Sequence, residues 1–223
     1  GRTRNLPRKA GVEHVGAGHA LVHEPRLRPD MLGDVGQEGD DVMADLGLDP
    51  FRNRLARGEY RQTADPALRI EARTNLLFSF EKMALRDALR TPGGARLFAH
   101  ELYAFLHGRG APRRRFEDWS QAVAELQPTR GRVNTWPVVT VFGFLGRPDR
   151  HLFLKPRVTR RAAHAYGFDL AYDATPCWAG YEALLTFAAI IRRDLDRRSG
   201  LRPRDMIDVQ SFIWVQGSPE YEP

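Results

Sequence analysis

Beyond residue 50, apolar residues recur three and four positions apart, the spacing that gathers side chains on one face of a helix. Between Gly94 and Gly108 the recurring set is Phe98, Leu102, Phe105 and Leu106, with Gly108 as a natural stop. Phe116, Trp119, Val123 and Leu126 mark a shorter helix that Pro128 ends. Trp178, Tyr181, Leu185, Ala188, Ile191 and Leu195 trace one face of a long helix closed by Gly200. A last helix runs from Asp205 to Val215, with Met206, Val209, Phe212 and Ile213 on one face and Gly217 closing it. The punctuation agrees with this reading. Asp49 with Pro50, Asp65 with Pro66, Thr91 with Pro92 and Thr175 with Pro176 each place a capping acceptor before a proline, which the first helical turn tolerates.

One stretch is open to two readings. Val133 to Leu145 contains Val133, Val138, Val139, Thr140, Val141, Phe142 and Phe144, a composition that favours strand. Pro137 after Thr135 and Trp136 equally opens a buried helix, and periodicity does not arbitrate for a short apolar run. Helix is preferred, because the neighbours are helical and a lone strand has no partner for its ladder. The expected fold is mainly α: a multi-helix globular bundle with irregular connections.

Residues 1–50 change the picture at the N-terminal end. They contain no Phe, Tyr or Trp, yet hold 8 of the 20 glycines and 3 of the 7 histidines. Gly1 to Arg28 carries six basic and two acidic residues, whereas Pro29 to Pro50 carries seven acidic and none basic. So little apolar surface does not offset the entropy of ordering, and 1–50 is expected to be poorly ordered or loosely attached. The helical domain is placed at 51–217 and a tail at 218–223. Residues 51–223 hold every aromatic residue and 28 basic against 19 acidic ones.

The whole chain of 223 residues has a formal charge of +6. Only Lys9, Lys82 and Lys155 are lysines against 31 arginines, so part of the basicity reflects codon bias, but the charge still attracts polyanions. The single cysteine, Cys177, excludes an intrachain disulfide and CxxC zinc sites. The longest uncharged apolar run, between Arg132 and Arg147, is 14 residues and interrupted by Pro137, too short to span a membrane. No secretory signal is evident, and a cytoplasmic setting is the expectation. GxxxxGK[ST], GxGxxG after a strand, HExxH and GxSxG are all absent from the sequence, which disfavours P-loop hydrolysis, dinucleotide binding, zincin proteolysis and α/β-hydrolase chemistry. No cofactor is implied.

The segment from Arg147 to Gly167 carries the strongest chemical signal. Thr159 reads as an N-cap, Ala162, Ala163 and Tyr166 share a helical face, and Gly167 terminates. Lys155, Arg157, Arg160 and Arg161 then fall at or just before a helix N-terminus, where cations are unfavourable and backbone N–H groups already attract an anion. Four of them there point to a negative partner such as a phosphate backbone; the alternative is a solvated arginine face with Lys155 paired to an acidic neighbour. Arg113, Arg114 and Arg115, and the set Arg192, Arg193, Arg197 and Arg198, would supplement this face if packing brought them to it. Trp136, Trp178 and Trp214 are assigned to the core, while Trp119, if exposed, would be a stacking platform for a base.

Other candidates are weaker. His14, His19 and His23 have spacings that fit no zinc pattern. Asp205 and Asp208 complement the dipole of the last helix or, facing a cleft, form a carboxylate or metal site. Cys177 lies in a first helical turn, where an exposed thiol is activated; it would need a base, and His151 or His164 is the candidate, against a buried hydrophobic role.

The order of an apolar helix (Val138 to Leu145), a turn at Pro148 and Asp149, an extended L-F-L-K-P-R-V and a short helix ending at Tyr166 and Gly167 resembles the latter part of helical DNA glycosylase-like domains. Arg204 to Trp214 is similar in style to the closing helix of helical modules found near bacterial restriction and repair proteins. The likeness covers roughly a third of the chain, Trp136 to Trp214. It departs in two places: Lys155 stands where those glycosylases place a catalytic aspartate, and no glycine-rich hairpin precedes Val138. The resemblance implies a helical nucleic-acid-binding scaffold without glycosylase activity. The expected function is therefore a non-catalytic nucleic-acid-binding module; the alternatives are an enzyme with a site near Asp205 and Asp208, and a helical module that holds a protein partner.

Overall fold

The computed structural model describes residues 46–73, 76–197 and 201–221. Among them the chain forms nine α-helices and no strand. These are α1 (Leu48–Ala56), α2 (Tyr60–Arg73), α3 (Ser79–Ala88), α4 (Pro92–His107), α5 (Pro112–Glu125), α6 (Trp136–Gly146), α7 (Pro156–Ala165), α8 (Trp178–Asp196) and α9 (Met206–Gly217), followed by a 3-10 turn at Pro219–Tyr221. The mainly α expectation holds. No described helix is long and apolar enough to cross a membrane.

The run that read as either strand or helix is α6, and every one of its residues is buried. Burial on all sides is why its apolar pattern showed no period. Thr135 supplies the start signal: its Oγ1 accepts from the Val138 N–H, and Pro137 occupies the first turn. Around α6 the aromatic residues of α4, α5 and α8 interlock. Phe98 meets Trp119 and Phe142 edge-on, and Phe116 stacks on Tyr181 with centroids 4.3 Å apart. At Gly143 a Cβ would come within 2.8 Å of the Phe105 ring and 3.0 Å of His151, so this crossing needs glycine.

The proline signals succeed only where the capping side chain reaches the first turn. Thr91 caps α4, accepting from Gly94 N–H at 3.0 Å. Asp65 and Pro66 do not open a helix but lie inside α2; Gln62, whose carbonyl loses its helical partner to that proline, is exposed. Asp49 and Pro50 fall inside α1, behind Gly47, and Thr175 and Pro176 precede α8, whose N-cap is Cys177.

The packed unit begins before the expected boundary at Phe51: Leu46 is 1% exposed and its carbonyl pairs with the His107 ring at 2.7 Å. At the other end, within the tail placed at 218–223, Ser218 is buried and Pro219–Tyr221 form a 3-10 turn. The expectation of disorder for 1–50 otherwise concerns residues 1–45, which lie outside the described ones, as do His14, His19, His23, Arg198 and Gly200.

Two devices position α7. The Thr140 hydroxyl donates to the Trp136 carbonyl at 2.7 Å and accepts from Leu154 N–H at 3.0 Å, holding the extended residues 151–155 against α6. Leu152, Phe153 and Leu154 are thereby fully buried. The second device is α9, which packs along α7 more extensively than any other pair of described helices meets. Its start is docked by Met206 N–H on the Pro148 carbonyl at 2.9 Å, and Gly217 lets its end touch α7, because a Cβ there would collide with the Val158 carbonyl.

Candidate nucleic-acid interface

Helix α7 buries Val158, Thr159, Ala162 and Ala163 and exposes Arg157, Arg160, Arg161 and His164. Positions 157, 160, 161 and 164 share one face, so the solvent side of this helix is a basic stripe. No carboxylate of the described residues lies within ion-pair distance of Arg157 or Arg160; the Arg160 guanidinium sits over the Tyr172 ring at 4.8 Å. The helix starts at Pro156 rather than at Thr159. Its N-cap is Lys155, which offers no side-chain acceptor, and Thr159 instead accepts the Lys155 N–H through Oγ1 at 3.2 Å. The first turn therefore carries uncapped backbone donors beside Arg157.

Lys155 stands apart from the exposed stripe: it is half-buried, and its ammonium donates to the Leu76 carbonyl at 3.2 Å and lies 4.6 Å from the Phe78 ring centroid and 5.4 Å from that of Trp214. Burial lowers its pKa, the Glu81 carboxylate opposes that, and the neighbouring charge of Lys82 adds to the lowering. Glu81 is itself buried, 2% exposed, and accepts from Thr135 Oγ1 at 2.6 Å and from Phe78 N–H at 3.0 Å. One carboxylate thus joins the starts of α3 and α6 and fixes the backbone that carries Phe78.

Phe78 and Phe80 form a parallel pair, centroids 5.5 Å apart and planes 8° apart, that remains 49% and 63% exposed. Met83, one turn on, is exposed as well. Sequence reasoning missed these residues. Their signal was one of register: the buried positions of α3 are Glu81, Ala84, Leu85 and Ala88, and Phe80 and Met83 fall on the opposite side. Nearby on α9, Trp214 Nε1 and both amide atoms of Gln210 are buried without a hydrogen-bond partner among the described residues.

The stacking role expected of Trp119 fails, because it is fully buried and its indole N–H donates to the Val139 carbonyl at 2.8 Å. Trp136 is in the core as expected, whereas Trp178 and Trp214 are only half-buried. The arginine triplet does not join the α7 stripe. Arg113 pairs with Glu117 and Arg114 with Asp118, each at 2.8 Å one turn along α5, while Arg115 turns inward to the Phe105 carbonyl at 2.9 Å. Consecutive helical residues point about 100° apart, and α5 packs against α4, α6 and α8 rather than against α7. Arg193 and Arg197 approach Asp194, and Arg192 is half-buried.

The two aspartates have structural employment. Asp205 caps α9, accepting from Ile207 N–H at 2.8 Å, and Asp208 accepts from the backbone and guanidinium of Arg204. No group of three or more metal-ligating side chains occurs among the described residues. Cys177 is a half-buried N-cap at the edge of an open depression lined also by Arg113, Glu117, Trp178 and Glu182, with no histidine in the lining. His151, its suggested base, is committed elsewhere: Nδ1 is 2.8 Å from the Tyr181 hydroxyl, and burial pushes its pKa down to about 3, with the Arg115 charge adding to the effect. His164, the other, stands exposed on the α7 stripe. No protein-family model matches this chain, and neither curated proteins nor solved structures show a match to it.

Proposed function

We propose that this chain is a non-catalytic nucleic-acid-binding module that takes phosphates on the exposed face of α7. The observation that supports it most is the stripe Arg157, Arg160, Arg161 and His164, in which Arg157 and Arg160 have no carboxylate of the described residues at ion-pair distance, beside a helix start without a side-chain cap. Lys155 serves in this reading as a positioning group beneath the aromatic pair, and Arg113, Arg114 and Arg115 are secondary because their charges are already engaged.

Fluorescence anisotropy with labelled DNA and RNA at low ionic strength tests the reading. Affinity should fall with salt, and the triple replacement of Arg157, Arg160 and Arg161 by alanine should weaken binding and reduce the log–log salt slope by about 0.7 to 0.9 for each phosphate no longer neutralised. Absence of binding to every nucleic acid at low salt refutes it. A second reading, a helical module that holds a protein partner, is favoured by the exposed Phe78, Phe80 and Met83. The enzyme reading receives less support, since Asp205 and Asp208 are engaged at a helix start rather than facing a shared cleft.

A further inference from the structure

The row formed by Lys155, Phe78 and Phe80 is open at its outer end. The ammonium lies over the Phe78 ring, Phe80 runs parallel to Phe78, and Phe80 is the more exposed of the two rings. The Phe78 backbone is held by Glu81, so this is a fixed feature and not a side chain that merely failed to find the core. An occupant of this exposed pair must suit its surroundings. Those surroundings are cationic and polar. Lys155 lies under the ring, Lys82 is close enough to act on its charge, and Arg157 follows two residues along.

Unused hydrogen-bonding capacity lies in the same region. Trp214 meets the Lys155 ammonium, and Gln210 lies one turn before it on the same face of α9. The indole N–H and the Gln210 amide, 4% exposed, have donors and an acceptor without partners among the described residues. An apolar helix laid here would leave those amide and indole groups unsatisfied. A planar, polyanion-linked heteroaromatic answers the exposed ring and the basic stripe together: a π-face for Phe80 and phosphates for the arginines of α7.

We infer that Phe80 and Phe78 stack an unpaired nucleobase, so that the preferred ligand of this module is single-stranded nucleic acid and not duplex. This inference rests on the reading of α7 as a phosphate-binding face. In a duplex the base faces are covered by their neighbours, whereas a single strand presents them to aromatic side chains irrespective of sequence.

Anisotropy titrations of the full chain at low salt separate the parts. The probes are labelled oligothymidylate, oligouridylate, an abasic phosphodiester strand of equal length and charge, and a duplex. The two base-bearing single strands should bind more tightly than the abasic strand. Phe80→Ala should lower affinity for the base-bearing strands by about fivefold or more and leave the abasic strand and duplex unchanged. Phe80→Leu, which keeps apolar bulk without the ring, should behave like Phe80→Ala; if it behaves like the parent protein, the site is a generic apolar surface and the inference is overturned. Equal binding of base-bearing and abasic strands, or no effect of Phe80→Ala, overturns it while phosphate binding on α7 stands. Failure of every probe to bind removes both.

Discussion

His151 allows a quantitative test of how the core is built. Its ring is 7% exposed, packs 4.5 Å from the Phe105 centroid and touches the Tyr181 hydroxyl through Nδ1. Burial pushes the Tyr181 phenol up, so it keeps its proton and shares a hydrogen bond with Nδ1, while Nε2 has no partner among the described residues. Burial holds the folded-state pKa at about 3 against an ordinary 6.5, with the Arg115, Arg147 and Arg150 charges also lowering it and Asp149 opposing. Below 6.5 the unfolded imidazole takes up a proton that the folded one refuses, so stability falls as pH falls from that value toward 3. At 1.36 kcal/mol per unit, the loss between about pH 7.5 and pH 5 is roughly 2 kcal/mol. Asp149, held at about 2 by the hydrogen bond from Arg147, does not titrate in that window. His107, also depressed by burial, adds a further loss of the same sign. Urea unfolding at the two pH values, on the parent protein and on His151→Leu, isolates the difference. The variant should lose roughly 2 kcal/mol less on acidification, whatever its absolute stability. His151→Gln, which keeps an acceptor for Tyr181, should show the same reduced slope. An equal loss in the parent and both variants would refute the placement of a neutral, buried imidazole.

Two further predictions concern the elements that hold the site. Glu81→Ala removes the acceptor shared by Thr135 Oγ1 and Phe78 N–H, and should cost about 3 kcal/mol in denaturant unfolding, with Glu81→Gln recovering part of it; a loss below about 0.5 kcal/mol would show that the carboxylate is not the link between α3 and α6. Gly217→Ala forces a methyl into the Val158 carbonyl and should lower stability by about 1–3 kcal/mol while weakening phosphate binding through displacement of α7; an unchanged melting temperature would mean that α9 and α7 do not approach as closely as described.

The parts of the fold legible in the sequence were those set by local rules. Thr91 before Pro92 starts α4, Gly108 ends it, and the faces of α4, α5 and α8 follow from spacing alone. The same rule misplaced Asp65 with Pro66, because helix propagation through α2 continues past the proline. For α6, periodicity was silent since no face meets water, and the helical reading rested on the helical neighbours and on the lack of a ladder partner for a lone strand. In the candidate site, the basic character of α7 was visible as a cluster of like charges, but the roles within it were not. Lys155 and Arg157 are two residues apart, yet one is drawn under aromatic rings from α9 and the α3 entry while the other faces solvent.

What the chain dictated by itself was short-ranged: helical class, most helix faces, the caps that obey a one-turn rule, and a surplus of positive charge beyond residue 50. Tertiary packing decided which arginines are quenched by a carboxylate one turn away, which tryptophan is buried, and that Phe78 and Phe80 stand exposed beside a lysine distant in sequence. The physical reason is that backbone choices are made by neighbours within a turn, whereas burial, pairing and desolvation depend on elements far apart in sequence that meet only when the whole core closes.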